Sequence, residues 1–192
     1  MRIRTTIGLL VVAFVCTVEV GQAADLKTFT SEKYGFSVAH PADWKMGGQT
    51  EHDHMPGDRH PKGVQNAFHF ECAPDHSWPC GVLVSVNEAK PQSFEEFSKA
   101  FEGWVQGMFR GAAKINSARK LTVNGLEGYE IVYGEGSFFG KTRLVVFFQN
   151  GKRYSIYIMI DDMSSGREAA DIEKDAPKFE AFVQSFRVVN RK

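Results

Sequence analysis

The stretch Leu121–Ile160, LTVNGLEGYEIVYGEGSFFGKTRLVVFFQNGKRYSIYIMI, contains the clearest structural pattern in the chain. It has three β-rich runs, and the pairs Asn124-Gly125 and Asn150-Gly151 lie next to them. A type I′ turn needs a positive φ at both central residues, and Asn-Gly adopts this conformation at low cost. The stretch therefore predicts an antiparallel meander with a tight turn at each pair.

Two of these runs are apolar on both faces. Alternate residues of Tyr154–Ile160 would point to opposite faces of a strand, and both sets are largely apolar. Leu144–Phe148 is apolar without alternation, which is typical of strands covered on two sides. Glu127–Tyr133 is more one-sided and is expected nearer an edge. The expected fold class is an α/β sandwich of the α+β type, in which helices cover both faces of a mainly antiparallel sheet.

The first 23 residues are expected to be a secretory signal peptide, followed by a single domain over residues 24–192. Two arginines precede the apolar run Ile7–Val18, and Gly21-Gln22-Ala23 provides a small-x-small cleavage site. The alternative is a membrane anchor, but the run is shorter than the ~20 residues that a spanning helix needs. We therefore expect a periplasmic or secreted protein that has no membrane span after cleavage.

Composition narrows the classes of partner. Removing residues 1–23 leaves 169 residues with 21 basic and 22 acidic side chains, a formal charge of −1. No overall field would then attract nucleic acid or an anionic membrane. A chain of this length with 16 phenylalanines in the full sequence is expected to fold around one sizeable core.

Two helices are expected to pack on the sheet. Ser93–Phe109 is predicted as a helix because Ser93 and Glu96 fit a capping box and apolar residues recur every three or four positions. These apolar positions are Phe94, Phe97, Phe101, Trp104, Val105 and Met108. A second helix is expected to begin near Asp175, with Pro177 in its first turn, and residues 163–174 fit either a loop or an added helical turn. Its apolar positions are Phe179, Phe182, Val183 and Phe186.

The first half of the chain predicts shorter elements. Asp25–Thr30 fits a short strand or an extended arm. Gly47–Gly63, which is rich in Gly, Pro, His and Asp, is expected to be a long surface loop. Val64–Cys72 and Gly81–Val86 alternate in polarity and are expected to pair as antiparallel strands.

The run Tyr34–Trp44, YGFSVAHPADW, resembles the opening motif of PsbP-like domains. This family comprises the extrinsic photosystem II subunit and many uncharacterised bacterial relatives. The Phe-rich mid-chain helix, the Gly-rich strand Gly125–Tyr133 and a closing helix ending in Ser185-Phe186-Arg187 also fit the family. His40 departs from it, since an aromatic residue is expected there. The resemblance implies an antiparallel sheet between helices and a role in binding or assembly, and it transfers no catalytic residue.

Cys72 and Cys80 are the cysteines that remain after signal removal, and they flank the connection of a predicted hairpin. In an oxidising compartment this placement favours a disulfide bond. Closing so short a loop would stabilise the fold by ~2–3 kcal/mol in the chain-entropy model. The functional alternative is a metal site or a redox pair, but the spacing differs from the two-residue spacing of thioredoxin-type motifs.

All six histidines lie between positions 40 and 76. His52, His54 and His60 lie close together in sequence with two aspartates, and imidazoles with carboxylates are ligands for zinc or copper. His69 with Glu71 would be an alternative source of a third ligand. The structural alternative is a polar surface loop without a metal. A pH response of these histidines is a further hypothesis.

The sequence contains none of the nucleophile elbow, P-loop or zinc-protease motifs that would indicate catalysis. We therefore expect an exported binding or assembly protein of the cell envelope, with an envelope protein as partner and with no cofactor. The alternatives are a metal-handling protein that uses the His-rich loop and an enzyme with an unrecognised site. A protein-interaction role predicts an exposed apolar or aromatic patch near the long loop.

The metal hypothesis predicts saturable binding of zinc, copper or nickel to the mature protein, tighter than about micromolar, in calorimetric titration. Replacing His52, His54 and His60 together by alanine is expected to abolish it. Titrations that show no saturable binding, or equal binding by the triple variant, would contradict a metal site at these residues.

Overall fold

The computed structural model describes residues 25–50, 66–71, 81–135, 141–161 and 169–189. The expected signal peptide, residues 1–23, lies outside these ranges and stays a prediction. In chain order the described elements are β1 (Leu26–Ser31), β2 (Phe36–Pro41), β3 (Lys45–Thr50), β4 (Ala67–Glu71), β5 (Gly81–Glu88), α1 (Phe94–Met108), β6 (Lys114–Val123), β7 (Leu126–Glu135), β8 (Lys141–Gln149), β9 (Lys152–Asp161), α2 (Ala169–Ser185) and β10 (Arg187–Val188).

Seven strands form one antiparallel sheet in the order β3-β4-β5-β9-β8-β7-β6. Both predicted tight turns are confirmed. The φ angles are 50° and 78° at Asn124 and Gly125, and 54° and 72° at Asn150 and Gly151. The meander thus contains four consecutive strands, β6 to β9, where the sequence pattern indicated three runs. The one-sided strand β7 lies next to the edge strand β6, as expected.

The predicted pair β4 and β5 is also confirmed. Phe68 and Phe70 of β4 are buried, and the ladder runs from Ala67 opposite Ser85 to Glu71 opposite Gly81. Strand β5 is buried on both faces over most of its length, so this central strand of the sheet also lies in the interior.

A smaller antiparallel sheet, in the order β1-β2-β10, packs beside α2. The hydroxyl of Ser185, at the end of α2, accepts a hydrogen bond from the Ala39 N–H (2.7 Å). The hydroxyl of Tyr154 in β9 donates to the carbonyl oxygen of Tyr34 (3.2 Å). These bonds fix the small sheet against both α2 and the large sheet.

Strand β8 contributes to an apolar cluster on each side of the large sheet. Leu144 and Val146 belong to the cluster that contains Phe97, Phe101 and Val105 of α1. The alternate residues Val145 and Phe147 belong to the cluster that contains the following residues of α2 and the segment after it: Phe179, Phe182, Val183 and Phe186. The prediction of a mainly antiparallel sheet with two packed helices is confirmed.

Helix α1 begins where the sequence predicts. The N-cap Ser93 accepts a hydrogen bond from the Glu96 N–H (3.2 Å), and the Glu96 carboxylate accepts one from the Ser93 N–H (2.9 Å). The buried stripe is narrower than expected, because Met108 is 47% exposed. The apolar periodicity therefore extends past the part of the helix that the sheet covers.

Helix α2 begins earlier than predicted, at Ala169 and not near Asp175. Pro177 lies inside the helix and not in its first turn. A proline in a helix interior removes one backbone hydrogen bond. Burial of Phe179, Phe182 and Val183 on the following turns provides packing energy that offsets this loss.

The predicted loop Gly47–Gly63 is wrong at its start, because Lys45–Thr50 forms the edge strand β3. The pairing of β3 with β4 is irregular between Met46 and Gln49, around the two glycines. Glycine weakens a strand, and here the ladder with β4 outweighs that preference. The rest of the predicted loop, residues 51–63, lies outside the described residues.

The C-terminal end of α2 is fixed by the turn between β6 and β7. The side-chain amide of Asn124 donates hydrogen bonds to the carbonyl oxygens of Gln184 (2.7 Å) and Phe186 (3.0 Å). Carbonyls at the end of a helix have no partner within the helix, so this turn residue supplies one. Within the described ranges, neither helix is long and apolar enough to cross a membrane.

Gly128 of β7 lies directly opposite Phe147 of β8. The Phe147 ring stacks on Phe186, with centroids 5.0 Å apart and planes at 5°. A Cβ atom added at Gly128 would lie 2.6 Å from both Phe147 Cδ1 and the Val146 carbonyl oxygen. Gly128 therefore leaves the space that the Phe147 ring needs.

Replacing Gly128 by alanine is expected to destabilise the protein by about 1–3 kcal/mol, because the added methyl group overpacks the core. The matched change Gly103→Ala, in the exposed interior of α1 where no atom lies within 4 Å, is expected to stabilise it by about 0.5–1 kcal/mol. Urea unfolding of both variants measures these differences. Equal or reversed effects would contradict the packing at Gly128.

Candidate functional site

Four charged side chains meet at one end of the large sheet, beside α2. They are Arg119 of β6, Glu130 of β7, Arg143 of β8 and Glu180 of α2, and we call them the arginine–glutamate cluster. Three of them come from neighbouring strands and one from the helix, so the cluster exists only in the folded protein.

Strand register places these side chains together. Arg119 lies directly opposite Glu130, while Arg143 lies opposite Val132, two residues further along β7. Residues two apart on a strand share a face, and diagonal neighbours remain within reach of long side chains. The three charged residues therefore project from the face of the sheet that packs against α2.

Glu130 is at the centre of the cluster, and its side chain is only 7% exposed. Arg119 Nε donates to Glu130 Oε1 (2.6 Å), and Arg143 Nε donates to Glu130 Oε2 (2.7 Å). Arg143 Nη1 also donates to Glu180 Oε2 (2.8 Å). Both carboxylate oxygens of Glu130 are thus paired with a cation, which meets the requirement for burying a charge.

The arginines keep Glu130 ionised. Burial alone would raise the pKa of Glu130, but the hydrogen bond from Arg119 and the positive charge of Arg143 outweigh it and lower the pKa below 4.5. The hydrogen bond to Glu130 in turn raises the pKa of Arg119. A carboxylate held in this state does not exchange a proton near neutral pH, so Glu130 is unsuited to general acid–base chemistry.

Arg119 differs from Arg143 in its exposure. The side chain of Arg119 is 68% exposed, whereas that of Arg143 is 14% exposed. Arg119 therefore presents a guanidinium group to solvent while its Nε is bound to a buried carboxylate. A guanidinium in this position is suited to bind a carboxylate from another molecule.

Further cations lie along the same strand. Lys120 is 69% exposed and lies 3.9 Å from Glu95 of α1, and Lys114 is exposed at the start of β6. We call Lys114, Arg119 and Lys120 the basic edge. The ten residues of β6 include no acidic residue, so the positive charge is concentrated on this strand.

A second network of polar side chains is buried in the large sheet and the segment before β4. The Asn66 amide donates to the Val86 carbonyl oxygen (3.2 Å) and to Asn87, and the Asn87 amide donates to the Ser85 hydroxyl (3.1 Å). All three side chains belong to buried residues. These bonds satisfy polar groups in the interior, and we assign this group a structural role.

The predicted metal ligands and cysteines are not tested. His52, His54, His60, Cys72 and Cys80 lie outside the described residues, so the metal site and the disulfide bond stay predictions. Among the described residues, no group of three or more His, Cys, Asp or Glu side chains could hold a metal ion.

His40, which departs from the family motif, is a core residue. Its ring packs on Phe70 with centroids 5.3 Å apart, and its Nδ1 lies 2.9 Å from the Pro41 carbonyl oxygen. The imidazole of His40 therefore takes part in the packing of the core. Two apolar side chains on edge strands are exposed: Met46 of β3 is 48% exposed and Leu26 of β1 is 54% exposed.

Sequence reasoning missed the arginine–glutamate cluster. Glu130 lies between Tyr129 and Ile131, and Arg143 precedes the apolar run Leu144–Phe148. A charged residue beside apolar strand residues needs a partner if it is buried. The partner of each charge depends on the register between strands, which the two Asn-Gly turns alone do not give for β7 and β8.

Replacing Glu130 by glutamine is expected to destabilise the protein by about 2 kcal/mol near neutral pH, because Arg119 and Arg143 then lose the carboxylate that lies between them. The folded-state pKa of Glu130 lies below 4.5. The free energy of unfolding that the Glu130 carboxylate contributes is therefore fully present above the unfolded-state pKa of about 4.5. It is lost as the pH falls through the lower pKa of the folded state. Denaturant unfolding from pH 7 to pH 3 measures the difference.

The matched control for this experiment is Glu127→Gln, an exposed position on the same strand. This change is expected to alter the unfolding free energy by less than about 0.5 kcal/mol at every pH. A constant difference between wild type and the Glu130 variant across the pH range would contradict an ionised, arginine-paired Glu130.

Comparisons with known proteins support the fold. No family model and no curated protein matches the chain. The solution structure of cyanobacterial PsbP (CyanoP) from Synechocystis sp. superposes with a TM-score of 0.55 at 17% identity, over 88% of this chain and 95% of that chain. A point mutant of protein Mog1 superposes with a TM-score of 0.51 at 10% identity, over 86% and 97% of the two chains.

The Ran-binding protein Mog1p from Saccharomyces cerevisiae gives a TM-score of 0.49 at 9% identity, over 88% of this chain and 97% of that chain. Identities this low show a shared fold and nothing more specific. The chain has the PsbP-like fold that the motif Tyr34–Trp44 predicts.

Proposed function

We propose that this protein is an exported, non-catalytic binding or assembly protein of the cell envelope, and that its protein partner contacts the basic edge. The proposal includes a sheet covered by helices on both faces, and it places the contact with the partner on an edge of that sheet. The observation that carries it is Arg119, an exposed guanidinium held in place by the buried carboxylate of Glu130.

A pre-positioned arginine favours association. An arginine that is mobile in the free protein loses side-chain entropy when it binds a partner. The bond between Arg119 Nε and Glu130 removes part of that loss before binding occurs. Arginine is also enriched among the residues that contribute most to protein–protein interfaces.

The charged groups of the cluster support binding over catalysis. A catalytic acid or base needs a pKa near the working pH, and the pKa values of Glu130 and Glu180 are both lowered. For Glu180, burial raises the pKa, but hydrogen bonds from Gln184 and Arg143 outweigh this effect. Both carboxylates therefore serve to position arginines.

The envelope location rests on the sequence. Residues 1–23 have the pattern of a secretory signal peptide, and Cys72 with Cys80 fits a disulfide bond formed in an oxidising compartment. Met46 on β3 and Leu26 on β1 are exposed apolar side chains, and exposed apolar residues are a feature of interaction surfaces.

Site-specific photo-crosslinking tests the proposal. A benzophenone amino acid is placed at Thr122, an exposed position of the basic strand β6, and separately at Met46 on the opposite edge strand β3. Each variant of the mature protein is irradiated in an envelope extract of the source organism, and adducts are identified by mass spectrometry. We expect the same envelope protein to be captured in repeated experiments from Thr122.

The control is an unrelated exported protein with the same crosslinker on an exposed strand. Absence of an adduct above this control from both positions would contradict a binding function. An adduct from Met46 alone would support the binding function and contradict the basic edge as its contact surface.

A further inference from the structure

Strand β6 is an edge strand of the large sheet among the residues that the structure describes. It lies at the end of the large sheet, and β7 is the only described strand that pairs with it. An edge strand directs alternate backbone N–H and C=O groups away from the sheet, where another strand can bind them. The register with β7 is continuous from Ser117 to Val123, so this part of the outer edge is straight enough to accept a strand.

We propose that the outer edge of Ser117–Val123 binds an extended, acidic segment of a partner protein as an added antiparallel strand, with adjacent carboxylates facing Arg119 and Lys120. The inference rests on the binding function proposed above and specifies the chemistry of the partner. Strand addition supplies affinity through backbone hydrogen bonds and specificity through alternate side chains.

The positive charges of Arg119 and Lys120 indicate that the added strand is acidic. Arg119 and Lys120 are neighbours in sequence, so they project to opposite faces of the strand, and both are exposed. A bound strand would need an acidic residue on each face at this point, which two adjacent glutamates or aspartates provide. Cross-strand pairs of opposite charge stabilise a sheet, and pairs of like charge destabilise it.

A second copy of this chain is a poor occupant of the same edge. Pairing of β6 with another β6 would bring the basic residues of two copies together, with no acidic residue in either strand. The resulting like-charge contacts disfavour such a dimer. The same argument disfavours basic partner segments.

Edge protection is the competing role for these cations. Lysines and bulges on an edge strand commonly prevent pairing with other chains. In β6 the irregular register is confined to Lys114–Ser117, and the segment from Ser117 to Val123 lacks it. If Arg119 and Lys120 only protected the edge from pairing, no added strand would bind there. The proposal instead requires that an acidic strand binds.

The test uses a seven-residue probe, acetyl-Thr-Val-Thr-Glu-Glu-Thr-Val-amide with a fluorophore, titrated with the mature protein and followed by anisotropy. Two matched peptides replace the Glu-Glu pair by Lys-Lys or carry N-methyl groups on alternate residues, which removes backbone donors. We expect saturable binding of the acidic probe that weakens with salt, and at least tenfold weaker binding of both matched peptides.

Substitutions on the two edge strands test where the acidic probe binds. Lys120→Gln, at an exposed position, is expected to weaken binding about fivefold, and Arg119→Gln about tenfold. Lys45→Gln, on the opposite edge strand β3, is the matched control and is expected to leave the affinity within twofold. Circular dichroism confirms that each variant is folded.

Four results would overturn the proposal: no saturable binding of the acidic probe, equal binding of the N-methylated peptide, equal binding of the Lys-Lys peptide, or an equal loss of affinity in Lys45→Gln. A dimer in sedimentation that excludes the acidic probe would also overturn it, because a second copy would then occupy the edge. Failure of the probe together with a crosslinked partner in the envelope extract would leave the binding function intact and reject only this mode of binding.

Discussion

Burial of both faces of β8 is the constraint on which the rest of the structure depends. Leu144 and Val146 pack with α1, while Val145 and Phe147 pack with α2 and the small sheet. A strand of this kind is stable only when apolar side chains cover both of its sides. The sheet therefore fixes where both helices pack.

The same constraint explains the arginine–glutamate cluster. Glu130 lies on the α2 side of the strand next to β8, where an unpaired carboxylate would be costly. Arg143 and Arg119 offset this cost from the two neighbouring strands, and Arg143 extends the contact to Glu180 of α2. One of these arginines is enclosed and the other reaches solvent, so a structural ion pair also orders a group on the surface.

Features that depend on local sequence could be predicted. The two Asn-Gly turns and the capping box of α1 follow from a few neighbouring residues, and each is confirmed. The start of α2 was predicted too late because proline is common in the first turn of a helix, and Pro177 was placed there. Strand β3 was not predicted because its two glycines favour a loop. The candidate site depends on the register between β6, β7 and β8, so the sequence did not predict that Arg119, Glu130 and Arg143 meet. The histidine and cysteine hypotheses concern residues outside the described ranges and stay predictions.

Asn124 links two parts of the fold that are far apart in sequence. Its backbone forms the turn between β6 and β7, and its side chain donates hydrogen bonds to the carbonyl oxygens of Gln184, near the end of α2, and of Phe186. If the end of α2 moved away, the side chain of Asn124 would lose its hydrogen-bond acceptors. If the turn between β6 and β7 opened, the carbonyl oxygens of Gln184 and Phe186 would lose their donor. These two hydrogen bonds therefore couple the end of α2 to the hairpin β6–β7, so that opening of either one exposes polar groups of the other.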